Sequence, residues 1–213
     1  LRTGRLSDRD DEFPRIGQAL GVLAEAPIFI DDSAGCTILE IRTKARRLQA
    51  EHDLGLIVID YLQLMEGRGG GKEDNRVQEV SEISRGLKLL ARELNIPVLC
   101  LSQLNRSVEL VKPAIPKLAH LRESGSIEQD ADVVLFIYRK AADKNYRLED
   151  LAPEEKNLAE IHISKHRNGP TGVVKVIFDE KRACFRNMER RADVPSPSAI
   201  APPPPPPPPS PFG

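Results

Sequence analysis

Leu56-Ile57-Val58-Ile59-Asp60 is the stretch on which the reading of this chain turns. Four consecutive apolar residues, mostly β-branched, form the pattern of a strand covered on both faces; a strand with one wet face would alternate. The same signature recurs at Val98-Leu99-Cys100-Leu101, and again from Val133 to Tyr138 after Asp132. Between the first two runs, Asn75 can cap a long helix. Its apolar positions Val77, Val80, Ile83, Leu87, Leu90, Ala91 and Leu94 repeat at helical spacing. Asn95 stops that helix ahead of Pro97. Strand, helix, strand, with continuous apolar runs, predicts an α/β domain with a mainly parallel sheet.

The flanks add further elements. Upstream, Thr37-x-x-Glu40 is a capping box opening a helix with Ile38, Ile41, Ala45 and Leu48 on one stripe. Arg42, Lys44, Arg46 and Arg47 fall mostly off that stripe and read as a solvated face. Ser7 can cap a helix running to about Ala24, which Pro14 would interrupt. Ile28-Phe29-Ile30 reads as a short strand ending at Asp31-Asp32. Downstream, residues 159–164 and 173–178 read as a late strand pair joined at Asn168-Gly169-Pro170.

Composition bounds the function. In 213 residues, 31 Lys+Arg against 32 Asp+Glu leave a formal charge of −1, which argues against a generally basic nucleic-acid coat. Six Phe, three Tyr and no Trp are too few for an obvious base-stacking platform, so any nucleic-acid contact must be made by a few loops. No apolar run approaches the roughly 18 residues of a membrane helix, and no membrane partner is expected. Cys36, Cys100 and Cys184 are odd in number and far apart; they exclude an ordinary disulfide framework and CxxC zinc sites, and fit a reducing, cytoplasmic setting. Eleven of the 18 prolines fall within residues 195–211. Residues 191–213 are therefore read as a disordered, polyproline-type tail, either merely solvated or a ligand for a proline-binding domain, and residues 1–190 as the folded body.

In open parallel sheets, ligands bind beyond the carboxyl ends of the strands. The first buried strand ends in Asp60, the Walker B pattern, in which a rigid strand aims one carboxylate at Mg²⁺ on nucleotide phosphates. The second ends in Ser102-Gln103, where a neutral amide can sense a γ-phosphate or orient a water, or simply form a turn. The phosphate cradle is missing. In GRGGGKE (67–73), Gly67 and Gly71 enclose three residues rather than four, and Glu73 stands where Ser or Thr is needed, so the segment reads as a flexible connection.

Three ordered segments follow LIVIDYLQLM: SQLNR (102–106), LRESGSIEQDAD (121–132) and SKHRNGPTG (164–172). Together with NRVQEVSEISRGLKLLARELNIPV (75–98), they closely resemble the C-terminal ATPase domain of replicative DNA helicases of the DnaB-like family, over roughly residues 1–188. The resemblance implies a RecA-like P-loop ATPase core lacking its P-loop strand, with ATP and Mg²⁺ as cofactors. It implies that Asp60 is the Walker B carboxylate and that Gln103 senses the γ-phosphate. Arg122, Glu123 and Gly125 would lie in the loop touching the single-strand backbone. Lys165 and Arg167 would reach the neighbouring subunit's γ-phosphate. The residues support this in part. Arg122 supplies charge, Gly125 lets backbone N–H groups approach a phosphate, and the two-residue spacing puts Lys165 and Arg167 on one side of the chain. Read alone, Glu123-Ser124-Gly125-Ser126 is first an acidic helix-start turn, and Lys165 and Arg167 a solvated strand end.

The implied whole is a hexameric helicase moving 5′ to 3′ on single-stranded DNA in the bacterial replisome, with a primase and a helicase loader as partners. Its P-loop, catalytic glutamate and N-terminal collar are expected upstream of residue 1, and the isolated chain is expected to be inactive and loosely packed. His166 stands where the family commonly has Gln. His162 and His166 form HxxxH, but no third ligand is near and the flanking cations repel a metal. The proline tail is not implied by the resemblance. Rival readings are a RecA-like recombinase or clock-type ATPase without unwinding activity, against which LRESGSIEQDAD argues, and a non-enzymatic remnant acting through the tail.

Overall fold

A computed structural model describes residues 12–33, 35–67, 76–121 and 125–188. The LIVID run forms β1 (Ile57–Ile59), which pairs in parallel with β2 (Val98–Cys100), with Ile57 opposite Val98 and Ile59 opposite Cys100. The crossover between them is α3 (Arg76–Leu94), preceded in the chain by α1 (Glu12–Glu25) and α2 (Ile38–His52). After β2 come α4 (Gly125–Asp130), β3 (Val133–Tyr138), α5 (Pro153–Lys156), β4 (Leu158–His166), β5 (Gly172–Asp179) and β6 (Cys184–Asn187).

The ends of these helices follow from local chemistry. Thr37 and Glu40 form the predicted capping box: the Thr37 N–H donates to Glu40 Oε2 at 2.8 Å and the Glu40 N–H to Thr37 Oγ1 at 3.3 Å. The Thr37 N–H first, and then the Thr37 hydroxyl, which donates to the same carboxylate oxygen at 2.9 Å, hold the Glu40 carboxyl below its ordinary range. α3 stops at Leu94, and Asn95 takes a left-handed φ of 53° before Pro97. Pro14 does not interrupt α1, because it falls in the first turn, where its missing N–H would have no partner within the helix. The expected Ser7 and Asn75 caps lie outside the described residues, as do the proline-rich residues 191–213. Ile28-Phe29-Ile30 is not a strand. Among the described residues no chain pairs with it, and a strand exists only through its ladder.

The α/β class and the parallel pair are as the sequence predicts, but the parallel pairing is confined to β1–β2 among the described residues. β3 runs antiparallel to β4 instead, and the order continues β3-β4-β5-β6. The apolar run alone cannot distinguish the two arrangements. In β3 the buried residues alternate: Val134, Phe136 and Tyr138 are covered while Val133, Leu135 and Ile137 are open. β1 and β2 are likewise covered on one face only within this chain, leaving Val58 55% and Leu99 51% exposed. β2 and β3 each keep one edge with no ladder partner among the described residues.

The core lies where α3 meets these strands. Val80, Ile83 and Leu87 pack with Leu62 and Met65, flanked by Ile38, Ile41, Ile59, Val98 and Cys100. Gly86 permits the close approach of α2, since a Cβ there would lie 2.7 Å from Ile38 Cγ1. The basic face of α2 is partly tied down rather than simply solvated: Arg42 and Arg46 both pair with Glu93 of α3, and Lys44 with Asp31 at 2.6 Å. A second cluster holds Leu121, Val134 and Phe136, and Ile127 of α4 touches both clusters.

Full burial of an aliphatic side chain stabilises by about 1.5–3 kcal/mol, and truncation adds a cavity cost. Ile83→Ala is expected to lower the unfolding free energy by about 2–4 kcal/mol in urea titration of a protein carrying this chain. Val77→Ala, at an exposed position of the same helix, is expected to change it by less than about 0.5 kcal/mol.

Candidate functional site

Asp60 directly follows β1 and is exposed, and its carboxylate has no partner among the described residues. Past the strands, the two chains stay joined. The Leu101 N–H donates to the Ile59 carbonyl and the Leu62 N–H to the Leu101 carbonyl, each at 2.9 Å. Residues Leu62–Leu64 then form a 3₁₀ turn, seated by buried Leu62 and Met65.

At Gln63 a side chain takes over from the backbone. The Gln103 N–H donates to Gln63 Oε1 at 3.1 Å. Gln63 Nε2 donates to Ser102 Oγ at 3.1 Å and to the Gln103 carbonyl at 3.5 Å. The exposed amide of Gln103 has no partner among the described residues. Asp60 and Gln103 thus stand at the same end of adjacent parallel strands, as the sequence reading placed them. The corner is braced from α3: Arg76 donates to the Gln63 carbonyl at 2.9 Å and pairs with Glu79, which accepts from the Gly67 N–H at 2.6 Å. The Gly67 N–H first, and then Arg76, hold the Glu79 carboxyl below its ordinary range.

A lone free carboxylate suits Mg²⁺, which is held by one or two carboxylates together with substrate phosphates and water. Among the described residues there is no group of three His, Cys, Asp or Glu that would form an all-protein metal cage. Burial raises the Cys100 thiol to about 11, which removes it as a nucleophile.

Lys165 and Arg167 do lie on one side, and they converge on the end of α4. Lys165 Nζ donates to the Glu128 carbonyl and, at 3.3 Å, to that of Gln129; Arg167 donates to the Gln129 carbonyl at 3.1 Å. Cations there satisfy orphan carbonyls and oppose the negative end of the helix dipole. Arg167 also pairs with Asp132 at 3.3 Å, and Lys88 of α3 pairs with the same carboxylate. Lys88, above all, holds Asp132 below the ordinary carboxylate range. His166 turns onto the Pro170 carbonyl at 3.3 Å, and His162 sits 3.0 Å from Glu160.

Arg122 and Glu123 lie outside the described residues. Gly125 opens α4 and is exposed, and a Cβ there would meet nothing within 4 Å, so packing does not demand the glycine. The chain between Gln103 and Leu121 is closed at its base by the Asn105 N–H donating to the His120 carbonyl at 3.0 Å. Its far side is held by Asp143, which sequence reading missed because nothing in its local pattern marks it. Buried Asp143 accepts from the Ala114 N–H at 2.9 Å, the Asn145 N–H at 2.9 Å and the Tyr138 hydroxyl at 3.0 Å. Burial alone would raise its carboxyl; these bonds outweigh it and hold the group below the ordinary range.

A parallel pair with an acid and an amide at its carboxyl ends, backed by a long crossover helix, is the arrangement of a RecA-like ATPase core. The family described as DnaB-like helicase C-terminal domain matches residues 1–187. The replicative DNA helicase DnaB of Geobacillus stearothermophilus is 52% identical over 193 residues, covering 91% of this chain and 40% of that protein. The replicative DNA helicase DnaC of Bacillus subtilis is 51% identical over 193 residues with the same coverage. Among solved structures, one of an isolated ATPase domain superposes with a TM-score of 0.77 at 37% identity, over 88% of this chain and 63% of that one. A DnaB-like replicative helicase studied with primase gives 0.76 at 37% identity, over 88% of this chain and 44% of that one. The chain belongs to the DnaB-like helicase C-terminal domain family. It spans about 40% of the length of the curated relatives it matches. No described helix is long and apolar enough to cross a membrane.

Asp143 offers a pH test. A carboxyl with a lowered folded-state pKa contributes stability that is present above its unfolded value and is lost as pH falls through the folded value. Asp143→Asn is expected to cost about 1–3 kcal/mol at pH 7 in urea unfolding. The difference between the two proteins should begin to shrink below about pH 4, where the unfolded chain takes up the proton, and close as pH falls through the lowered folded-state value.

Proposed function

We propose that this chain is the C-terminal part of the ATP-driven motor of a hexameric replicative DNA helicase, acting 5′ to 3′ on single-stranded DNA in the bacterial cytoplasm. The observation that carries the reading is the placement of Asp60 and Gln103, whose side chains have no partner among the described residues, at the same end of the β1–β2 pair. In this reading Asp60 holds the Mg²⁺ of bound ATP through water, and Gln103 answers the γ-phosphate. The bound ion supplies charge neutralisation at the phosphates. Arg122 and Gly125 approach the DNA backbone, and Glu123 holds their loop. Lys165 and Arg167 serve the ATP of the adjacent subunit. A primase and a helicase loader are the protein partners, by likeness to the family.

Lys165 and Arg167 grip the carbonyl end of α4, the helix that Gly125 opens, which supports a link between nucleotide state and the proposed DNA-contacting residues. For a protein carrying this chain together with a P-loop segment, Arg167→Ala is expected to lower DNA-stimulated ATP turnover by about 10³-fold or more. Ring assembly, read by light scattering, should survive. Normal turnover would remove Arg167 from the site.

Strand displacement tests the whole reading. Forked duplexes with a free 5′ tail should be unwound and those with only a 3′ tail should not; ATP turnover with no displacement would favour a recombinase or clock-type ATPase. The 213-residue chain by itself is expected to show no ATP hydrolysis above background in a phosphate-release assay. The open edges of β2 and β3 and their uncovered apolar faces support that expectation.

A further inference from the structure

We propose that Gln63 is the positioning residue for Gln103, locking the sensor's backbone to the strand that carries Asp60; this rests on the reading of Gln103 as the nucleotide sensor. The backbone ladder between the two chains ends with the Leu62 N–H on the Leu101 carbonyl. Beyond it, Gln103 relies on the Gln63 amide. Oxygen Oε1 accepts from the Gln103 N–H, while Nε2 donates to Ser102 Oγ and approaches the Gln103 carbonyl. One primary amide therefore imitates the next rung of a β-ladder, with both a donor and an acceptor facing the same residue.

The clamp is itself rigid. Gln63 sits between buried Leu62 and exposed Leu64 in a short turn closed by the Met65 N–H on the Leu62 carbonyl at 3.1 Å. Its own carbonyl is held by Arg76, which Glu79 braces. The clamp takes only the main chain of Gln103 and leaves its amide unengaged, so the side chain is free to respond while its base is fixed. Because Asp60 lies three residues before Gln63, the metal-facing carboxylate and the sensor become one body. Chemistry that depends on alignment is sensitive to this, since a misplacement of about 1 Å can cost about 10²-fold in rate. Other residues fit the role poorly: Glu can accept but not donate, Leu can do neither, and Asn is one methylene short.

The test uses a protein carrying this chain joined to its P-loop segment, with Gln63→Leu, Gln63→Glu, Gln103→Ala and the Gln63→Leu/Gln103→Ala double variant. The readouts are KM for ATP, kcat with and without single-stranded DNA, and thermal unfolding by circular dichroism. Gln63→Leu is expected to keep KM within about twofold and to lose about tenfold or more of DNA-stimulated kcat. Gln63→Glu, nearly isosteric and still able to accept the Gln103 N–H, is expected to lose less. The double variant should be no slower than Gln103→Ala alone. If Gln63→Leu does not fold, a loss of DNA-stimulated kcat at unchanged KM in Gln63→Glu supports the proposal, and full activity in that variant overturns it. Wild-type DNA stimulation in Gln63→Leu overturns it, as does a rise in KM with an equal fall of basal and stimulated turnover. Gln103→Ala with normal DNA stimulation would instead sink the sensor reading, whatever Gln63 does.

Discussion

The burial of one stripe of α3 is the constraint on which the rest of this structure depends. Val80, Ile83 and Leu87 turn from solvent toward the β1–β2 pair, the 3₁₀ turn after Asp60, and the short helix α4, and Leu90 of α3 is buried as well. The hydrophobic effect sets the register of all three against one rigid rod. Ile127 packs against this cluster and the one beneath β3, so its side chain helps to link the parallel pair to the antiparallel sheet. Polar groups then finish what packing begins. Ser84 of α3 donates to Asp130 at 2.8 Å, and Lys88, one turn further on, pairs with Asp132.

Two polar assemblies sit on this frame, and they use the backbone in different ways. At the β1–β2 end, a side-chain amide extends a ladder that the backbone can no longer continue. At the α4 end, two cations satisfy carbonyls that no helix can satisfy internally. Both leave neighbouring candidate site residues exposed. Asp60 and Gln103 are exposed, and a Cβ at Gly125 would meet nothing within 4 Å. Asp143 has the opposite character, with its carboxylate spent on holding the segment between Gln103 and Leu121 against β3 and the turn after it. Its role is to fix the shape of the segment that leads to Leu121.

The positions of Asp60 and Gln103 in the candidate site were legible in the sequence because they lie at strand ends. A strand's apolar run marks where the strand stops, and the first polar residue after it must emerge at the edge of the sheet. Asp60 and Gln103 could be placed that way, and the two-residue spacing gave Lys165 and Arg167 a common side. Gln63, Asp143 and Arg76 could not be found so. Each makes a bond to a residue 40, 29 or 13 positions away, and no local pattern distinguishes a clamp from a solvated side chain.

The sequence by itself determined the elements whose causes are local: the Thr37–Glu40 capping box, the stop at Asn95, the α3 stripe, the β1 and β2 strands and the α/β class. These depend on side-chain periodicity and on hydrogen bonds spanning a few residues. Only the tertiary structure decided which strand pairs with which, that β3 joins β4 in antiparallel fashion, and that Ile28-Phe29-Ile30 stays out of the ladder. It alone brought Lys165 and Arg167 to the α4 carbonyls and Gln63 to Gln103. An apolar run specifies a buried face but not its partner, because the hydrophobic effect has no direction. Ladder edges and polar clamps are directional, and they are settled only when distant segments meet.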